Sequence, residues 1–218
     1  MFKVKKTMRN VGQAALESAT HKGVKCVDKI SQKEREQKYL QKGAILWLTG
    51  LSGAGKTTIA NNLERIIFDQ DKLVLVLDGD KIRAGLSSDL GFSAKDRFEN
   101  VRRVGEVARL FTDTGFIVIV AFISPFRKDR DSIRMAMALG RFVEIFVDSP
   151  LEICEKRDVK GLYKKARAGI IEDFTGISSP YEPPLSPEIH LRTDKEAINE
   201  SVNKVLNYLK STLLLKNR

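Results

Sequence analysis

The sequence has little cysteine, proline or tryptophan, and no long apolar run. Its 218 residues include two cysteines, six prolines, one tryptophan and two histidines. Cys26 and Cys154 are too few for a disulfide framework, which points to a reducing compartment. No stretch approaches the ~18 apolar residues that a membrane-spanning helix needs. No continuous apolar segment of the secretory type stands near the start, and internal repeats and low-complexity tracts are missing. Apolar residues are not scarce, however. At 42% they suffice for a buried core and exclude a disordered chain. The length suits one domain with room for an arm.

Positive charge is in excess. There are 38 Lys/Arg against 28 Asp/Glu, a net charge of +10. Alone, that balance invites a nucleic-acid or membrane-surface partner. Its distribution argues against both. Residues 1–40 hold ten basic and four acidic side chains, whereas residues 41–218 hold 28 and 24. Most of the excess therefore lies at the N-terminus. The chain divides into a basic arm, residues 1–30, and a mildly basic body, residues 31–218. Lys3, Lys5, Lys6 and Arg9 precede the first acidic residue. Acid-poor starts occur in organelle-targeting segments, but such segments are also rich in Arg and Ser. A cytoplasmic location is expected, with a mitochondrion-related organelle as the alternative address.

Within the body, residues 28–41 are polar and charged and fit a surface helix. Ala44–Thr49 (AILWLT) is a short apolar run between glycines, as in a buried strand. Further apolar strands are expected at 73–77, 116–123 and 142–147. Helical spacing is found at 57–68, 98–111, 129–139, 151–157 and 196–209. Residues 158–192 break the pattern, basic first and then rich in Gly, Pro and Ser. Continuously apolar strands alternating with helices predict a parallel sheet covered on both faces, a three-layer αβα sandwich. Ligands of such sheets bind beyond the carboxyl ends of the strands.

Directly after the first strand stands Gly50-Leu51-Ser52-Gly53-Ala54-Gly55-Lys56-Thr57, the G-x-x-x-x-G-K-[ST] pattern in its strand–loop–helix context. Glycines let the backbone wrap around phosphates, and the following helix N-terminus favours an anion. Lys56 supplies a point charge for the β- and γ-phosphates, and the Thr57 hydroxyl can ligate Mg²⁺. ATP with Mg²⁺ is thus the expected nucleotide. The loop alone does not separate kinases from GTPases or motor ATPases. No N-K-x-D guanine-reading motif follows, and the chain is short for an ATP-driven machine. Small kinases carry an acceptor pocket and a mobile basic lid, and residues 158–180 fit that lid. Asp80, in Asp78-Gly79-Asp80 after the second strand, could position an acceptor hydroxyl or accept its proton. Asp-Gly is also ordinary turn chemistry.

The runs LDGDKIRAGLSSDLGFSAKDRFENVRRVGEVARLF, ISPFRKDR and GLYKKARAGIIEDFTGISSPYEPP resemble adenylyl-sulfate kinases (APS kinases), from about Ser31 to the C-terminal helix. The resemblance implies a P-loop nucleoside-kinase-like fold and transfer of the γ-phosphate of ATP to the 3′-hydroxyl of adenosine 5′-phosphosulfate (APS), giving PAPS. It implies that Asp80 and Lys56 are catalytic, with Ser124 a further candidate that some descriptions of the family treat as a phosphoserine. Direct in-line transfer needs no covalent step. Acceptor contacts carry over to Asp80, Arg83, Phe92, Arg97, Asn100, Ile123, Ser124, Lys160, Lys165, Phe174 and Thr175, with Phe92 and Phe174 stacking on the acceptor's adenine. Nucleotide contacts carry over to Gly50, Ser52, Gly53, Ala54, Gly55, Lys56, Thr57, Thr58, Thr193 and Glu196. A homodimer is implied, with ATP sulfurylase as pathway neighbour on a separate chain. Two lid positions depart from the pattern. Ile170 stands where an acidic residue is usual and Ser178 where Asp is usual, and both bear on lid closure. Cys154 reads as a small core residue, and His21 and His190 are assigned no role. The rival readings are a small-metabolite kinase with a different acceptor, exposed by competing acceptors, and a basic nucleic-acid binder, exposed by retention of RNA or DNA at ~0.15 M salt.

Overall fold

The computed structural model describes residues 29–212, 214 and 215. The chain divides into units Met1–Ile30 and Ser31–Arg218. The first lies almost wholly outside the described residues, as do His21, Cys26 and the arm's basic cluster. The second carries every element named here.

Five strands form one parallel sheet in the order β2-β3-β1-β4-β5. They are β1 (Ala44–Thr49), β2 (Val74–Asp78), β3 (Ile117–Ala121), β4 (Phe142–Asp148) and β5 (Ile189–Arg192). β1 is central, Leu46 pairing with Ile119 on one side and Val143 on the other. All six of its residues are buried, which explains a run apolar throughout rather than alternately.

The helices are α1 (Gln32–Tyr39), α2 (Lys56–Phe68), α3 (Gly79–Ala84), α4 (Ala94–Asp113), α5 (Arg127–Met135), α6 (Leu151–Arg157), α7 (Leu162–Arg167) and α8 (Ile198–Ser211). α1 is opened by a capping box, Ser31 accepting from the Glu34 amide while Glu34 accepts from the Ser31 amide. The sheet buries a different core on each face. Leu46 and Leu48 pack with Ile59, Leu63, Val202 and Val205 from α2 and α8. Ile45 and Trp47 pack with Val101, Val104, Ala108 and Ile133 from α4 and α5. The three-layer αβα sandwich expected from the sequence is the fold observed.

The four apolar strands fall where hydrophobicity places them, to within two residues. The fifth strand, β5, was read as part of the irregular 158–192 segment. Its four residues alternate between buried Ile189 and Leu191 and more exposed His190 and Arg192, so no apolar run announces it. α3 and α7, of six residues each, were likewise too short to show a periodicity. Among the described residues no helix is long and apolar enough to cross a membrane.

Candidate active site

The Gly50–Thr57 loop forms where central strand β1 gives way to α2. At Gly50, φ is +155° and an added Cβ would lie 2.2 Å from the Val147 carbonyl oxygen on β4. Only glycine passes between strands this close. Gly53 and Gly55 have φ of +74° and +102°, curling the chain into the N-terminus of α2, whose unpaired amides favour an anion. Ala54 is buried. Thr58 is exposed in the first turn of α2.

Lys56, the first residue of α2, is buried. Its ammonium donates to the carbonyl oxygens of Gly50 (2.9 Å) and Leu51 (2.7 Å). Burial pushes its pKa down to about 8, against the opposing pull of Asp78 and Asp80. The Thr57 hydroxyl donates to Asp78 Oδ2 at 2.9 Å, while Asp78 Oδ1 accepts from the Asp80 amide at 3.0 Å. Asp78 therefore ties the phosphate-loop threonine to the start of α3. In the sequence it read only as a strand end. The signal was present as a second carboxylate two residues from Asp80. A hydroxyl and two carboxylates are hard-oxygen donors of the kind Mg²⁺ takes. Among the described residues no three His, Cys, Asp or Glu side chains form an all-protein metal site. Asp80 is exposed and ion-paired with Lys160, in the segment after α6.

Among the residues expected to meet the acceptor, the Arg83 guanidinium lies over the Phe92 ring, 4.4 Å from its centroid, and donates to the Gly91 carbonyl at 2.9 Å. Arg97 Nε donates to the Phe92 carbonyl at 2.8 Å. Its Nη1 donates to Thr175 Oγ1 at 2.6 Å, and its Nη2 to the Asp173 carbonyl. Arg97 thereby fastens the Phe92 loop to the Asp173–Thr175 segment. Burial lowers the pKa of both arginines, leaving guanidinium groups short of water beside an exposed aromatic. Asn100, on α4, is buried with no partner for Oδ1 among the described residues.

Ile123 and Ser124 follow β3. The Ile123 carbonyl accepts from Thr49 Oγ1 at 2.7 Å. Ser124 has φ of +40° and is buried, its hydroxyl accepting from Trp47 Nε1 at 3.0 Å. Its carbonyl accepts from Arg130 Nη1 at 2.6 Å. Fully buried Arg130 also bonds the Glu144 carboxylate (2.6 Å) and the Glu182 carbonyl (2.9 Å). The sequence did not single out Arg130, because an arginine in a helix reads as solvated.

The two candidate stacking aromatics are not in ring contact. Phe92 is 59% exposed and Phe174 only 8%, and Phe174 meets Tyr163 edge-on at 5.0 Å between centroids. Thr175 is buried, whereas Lys165 lies on the exposed side of α7. Of the two departures, Ser178 Oγ accepts from the Phe174 amide at 2.9 Å. An aspartate there would offer the same cap, so the hydroxyl replaces its local function. Ile170 is 71% exposed.

The remaining loop closes over Ala54. Thr193 Oγ1 donates to the Ala54 carbonyl at 2.8 Å. Arg157 donates to the carbonyls of Thr193 (2.6 Å) and Gly53 (3.3 Å), joining this loop to the phosphate loop. Sequence reasoning had left Arg157 as an ordinary helix residue. The Glu196 carboxylate is occupied by Lys204 (2.6 Å), Ser201 (3.2 Å) and the Arg192 amide (3.2 Å), so it braces the start of α8. His190 does have partners. Its Nε2 lies 2.9 Å from Asp148 Oδ2, and its ring stacks on Phe146 at 5.0 Å. Cys154 is fully buried.

The chain is similar to known proteins over most of its length. A family model described as adenylylsulphate kinase matches residues 42–192. The adenylyl-sulfate kinase of Lactiplantibacillus plantarum is 56% identical over 180 residues, 83% of this chain and 87% of its own. The Mycobacterium tuberculosis APS kinase, solved in complex with AMPPNP and APS, superposes with a TM-score of 0.74 at 46% identity, covering 78% of this chain and 98% of that one. A hexameric APS kinase from Thiobacillus denitrificans has a TM-score of 0.64 at 35% identity, covering 85% of this chain and 31% of that longer one. With a family model matching residues 42–192 and 56% identity to a curated relative over most of both chains, the chain belongs to the adenylyl-sulfate kinase family.

Proposed function

We propose that this chain transfers the γ-phosphate of ATP to the 3′-hydroxyl of APS, yielding PAPS and ADP in sulfate activation. The observation that carries the reading is the Thr57–Asp78–Asp80 chain of hydrogen bonds, which joins the Gly50–Thr57 loop to Asp80 beyond the strand ends and so supports Asp80 as the acceptor carboxylate. The 3′-oxygen attacks the γ-phosphorus in line, the bond to the β,γ-bridging oxygen breaks, and ADP leaves. Asp80 orients the hydroxyl and takes its proton. Lys56 leaves the Gly50 and Leu51 carbonyls to meet the phosphates. Thr57, with Asp78 behind it, would hold Mg²⁺, which would supply positive charge against the β- and γ-phosphates.

Arg83 and Arg97, planar multi-donor cations, suit the phosphosulfate. Phe92 and Phe174 take the acceptor's adenine between them, each stacked face contributing about 1–3 kcal/mol. Asn100 offers its unpaired oxygen, Lys160 and Lys165 add positive charge from the lid, and Thr175, Ile123 and Ser124 line the site. Thr193 and Glu196 border the base of ATP. The same reading takes residues 31–218 as the kinase domain with a lid at 158–180, and residues 1–30 as an arm. It places the enzyme in the cytoplasm, or in a mitochondrion-related organelle if the arm is cleaved on import. Self-association, as a homodimer, has the support of a relative that assembles as a hexamer. The sulfurylase that makes APS would be a separate chain.

The deciding assay incubates the protein with Mg-ATP and APS and separates the nucleotides. PAPS and ADP in equal amounts are expected. Bound ATP without PAPS would overturn the reading.

A further inference from the structure

One buried side chain joins the phosphate loop to the acceptor platform. Tyr163, on α7, is 2% exposed. Its hydroxyl donates to the Ser52 carbonyl at 2.9 Å, and its ring meets Phe174 edge-on. Lys56 holds the carbonyls of Gly50 and Leu51. Three successive loop carbonyls are therefore occupied, two by Lys56 and the third by Tyr163. The turn after Phe174 also rests on the loop. At Gly176, where φ is +91°, an added Cβ would come within 3.1 Å of Leu51 Cδ2. Asp158 anchors the start of α7, its carboxylate accepting from the amides of Tyr163 (3.1 Å) and Lys164 (3.0 Å).

We propose that Tyr163 is a positioning residue that couples nucleotide occupancy of the phosphate loop to acceptor binding at Phe174. The inference rests on the reading of the chain as an APS kinase. A nucleotide that draws Lys56 to its phosphates releases the Leu51 carbonyl and fixes the loop around the phosphates. The Ser52 carbonyl is then held, and with it the Tyr163 hydroxyl and the ring against Phe174. An acceptor arriving second meets a platform already ordered and gives up less conformational freedom. The coupling is reciprocal, so the acceptor tightens the nucleotide by the same factor.

Tyr163→Phe in the full chain tests this, because it keeps the ring and removes only the donor. APS affinity is measured by calorimetry with and without saturating AMPPNP, alongside kcat, both KM values and Tm. The wild type is expected to bind APS at least about five-fold more tightly with the analogue present. In the variant that ratio falls to within about two-fold of one, while APS affinity without nucleotide is unchanged. A packing role alone would lower Tm and weaken both affinities with the ratio intact. That result, or a wild-type ratio of one, overturns the proposal.

If the variant does not fold, hydrogen exchange of the wild type decides. AMPPNP alone is expected to slow the amides of residues 174–178 several-fold, and unchanged exchange there overturns the coupling. A wild type that binds AMPPNP but neither binds APS nor forms PAPS brings down the functional reading and this inference together. A wild type that forms PAPS, with a coupling ratio indifferent to Tyr163→Phe, brings down the Tyr163 assignment alone.

Discussion

The Thr57 hydroxyl donates to the Asp78 carboxylate across 2.9 Å, and the other oxygen of that carboxylate holds the Asp80 amide. One aspartate at the end of β2 thus aligns the residue proposed to hold Mg²⁺ with the residue proposed to orient the acceptor. Asp78→Asn keeps the size but loses the charge that draws a divalent ion. The Mg²⁺ concentration for half-maximal rate should rise about ten-fold, the usual penalty for losing a group that orients a metal ligand. Titration of the rate with Mg²⁺ at saturating ATP checks this. An unchanged midpoint would remove Asp78 from the metal's surroundings.

Asp80 is exposed and ion-paired with Lys160, so it contributes little to the fold. Asp80→Asn should leave Tm and ATP affinity nearly unchanged while lowering kcat by about 10²–10⁴, the range for loss of a positioned general base. Steady-state kinetics beside a direct nucleotide-binding measurement separate the two effects. Equal losses in kcat and ATP affinity would take Asp80 out of the chemical step.

Lys56 makes ATP binding depend on pH. Burial lowers its pKa in the nucleotide-free protein to about 8, whereas triphosphate beside it favours the charged form and raises it. Above that pKa, binding must take up a proton. Affinity should be level between about pH 7 and 7.5 and weaken above about pH 8, approaching ten-fold per unit. Stability of the nucleotide-free protein follows the opposite course. The unfolded lysine, at its ordinary value of 10.5, binds more protons in the window above about 8, so the Lys56 contribution to stability rises there with pH. Calorimetry in buffers of different ionisation enthalpy should register the proton uptake, and Lys56→Met should abolish it. A flat affinity up to about pH 9.5 would contradict the assignment.

Arg130 and Glu144 form an ion pair with side chains 1% and 8% exposed. Removing Glu144 leaves Arg130 buried without a counter-ion, so Glu144→Leu should destabilise the fold by about 3–5 kcal/mol. Arg134 still reaches Glu144 when Arg130 is removed, so Arg130→Met should cost less. The double variant should be more stable than Glu144→Leu alone, since Arg130 no longer stands buried without a counter-ion and Arg134 keeps Glu188. Urea unfolding checks the cycle. Arg130 also bonds the Ser124 and Glu182 carbonyls, so variants without it should bind APS more weakly than their residual stability accounts for.

Much of the molecule was legible from residue order alone. Four strands were announced by apolar runs, and the phosphate loop by glycines whose backbone freedom no other residue supplies. The family itself was legible in ordered motifs, and the comparisons bear it out; the acceptor residues remain those that the resemblance proposes. Local chemistry suffices for these features, because a strand buried on both faces must be apolar and a loop wrapped on phosphate must turn tightly. β5 was invisible because an edge strand with one exposed face has no continuous apolar run. The tertiary structure also decided pairings across large separations: Arg97 with Asp173 and Thr175, Arg157 with Thr193, Arg130 with Glu182, and Tyr163 with Ser52. In each, the donor's partner is a carbonyl, hydroxyl or carboxylate supplied by another element. Hydrogen bonds between distant segments leave no periodicity in sequence, so only the packed fold reveals which polar side chains it needs.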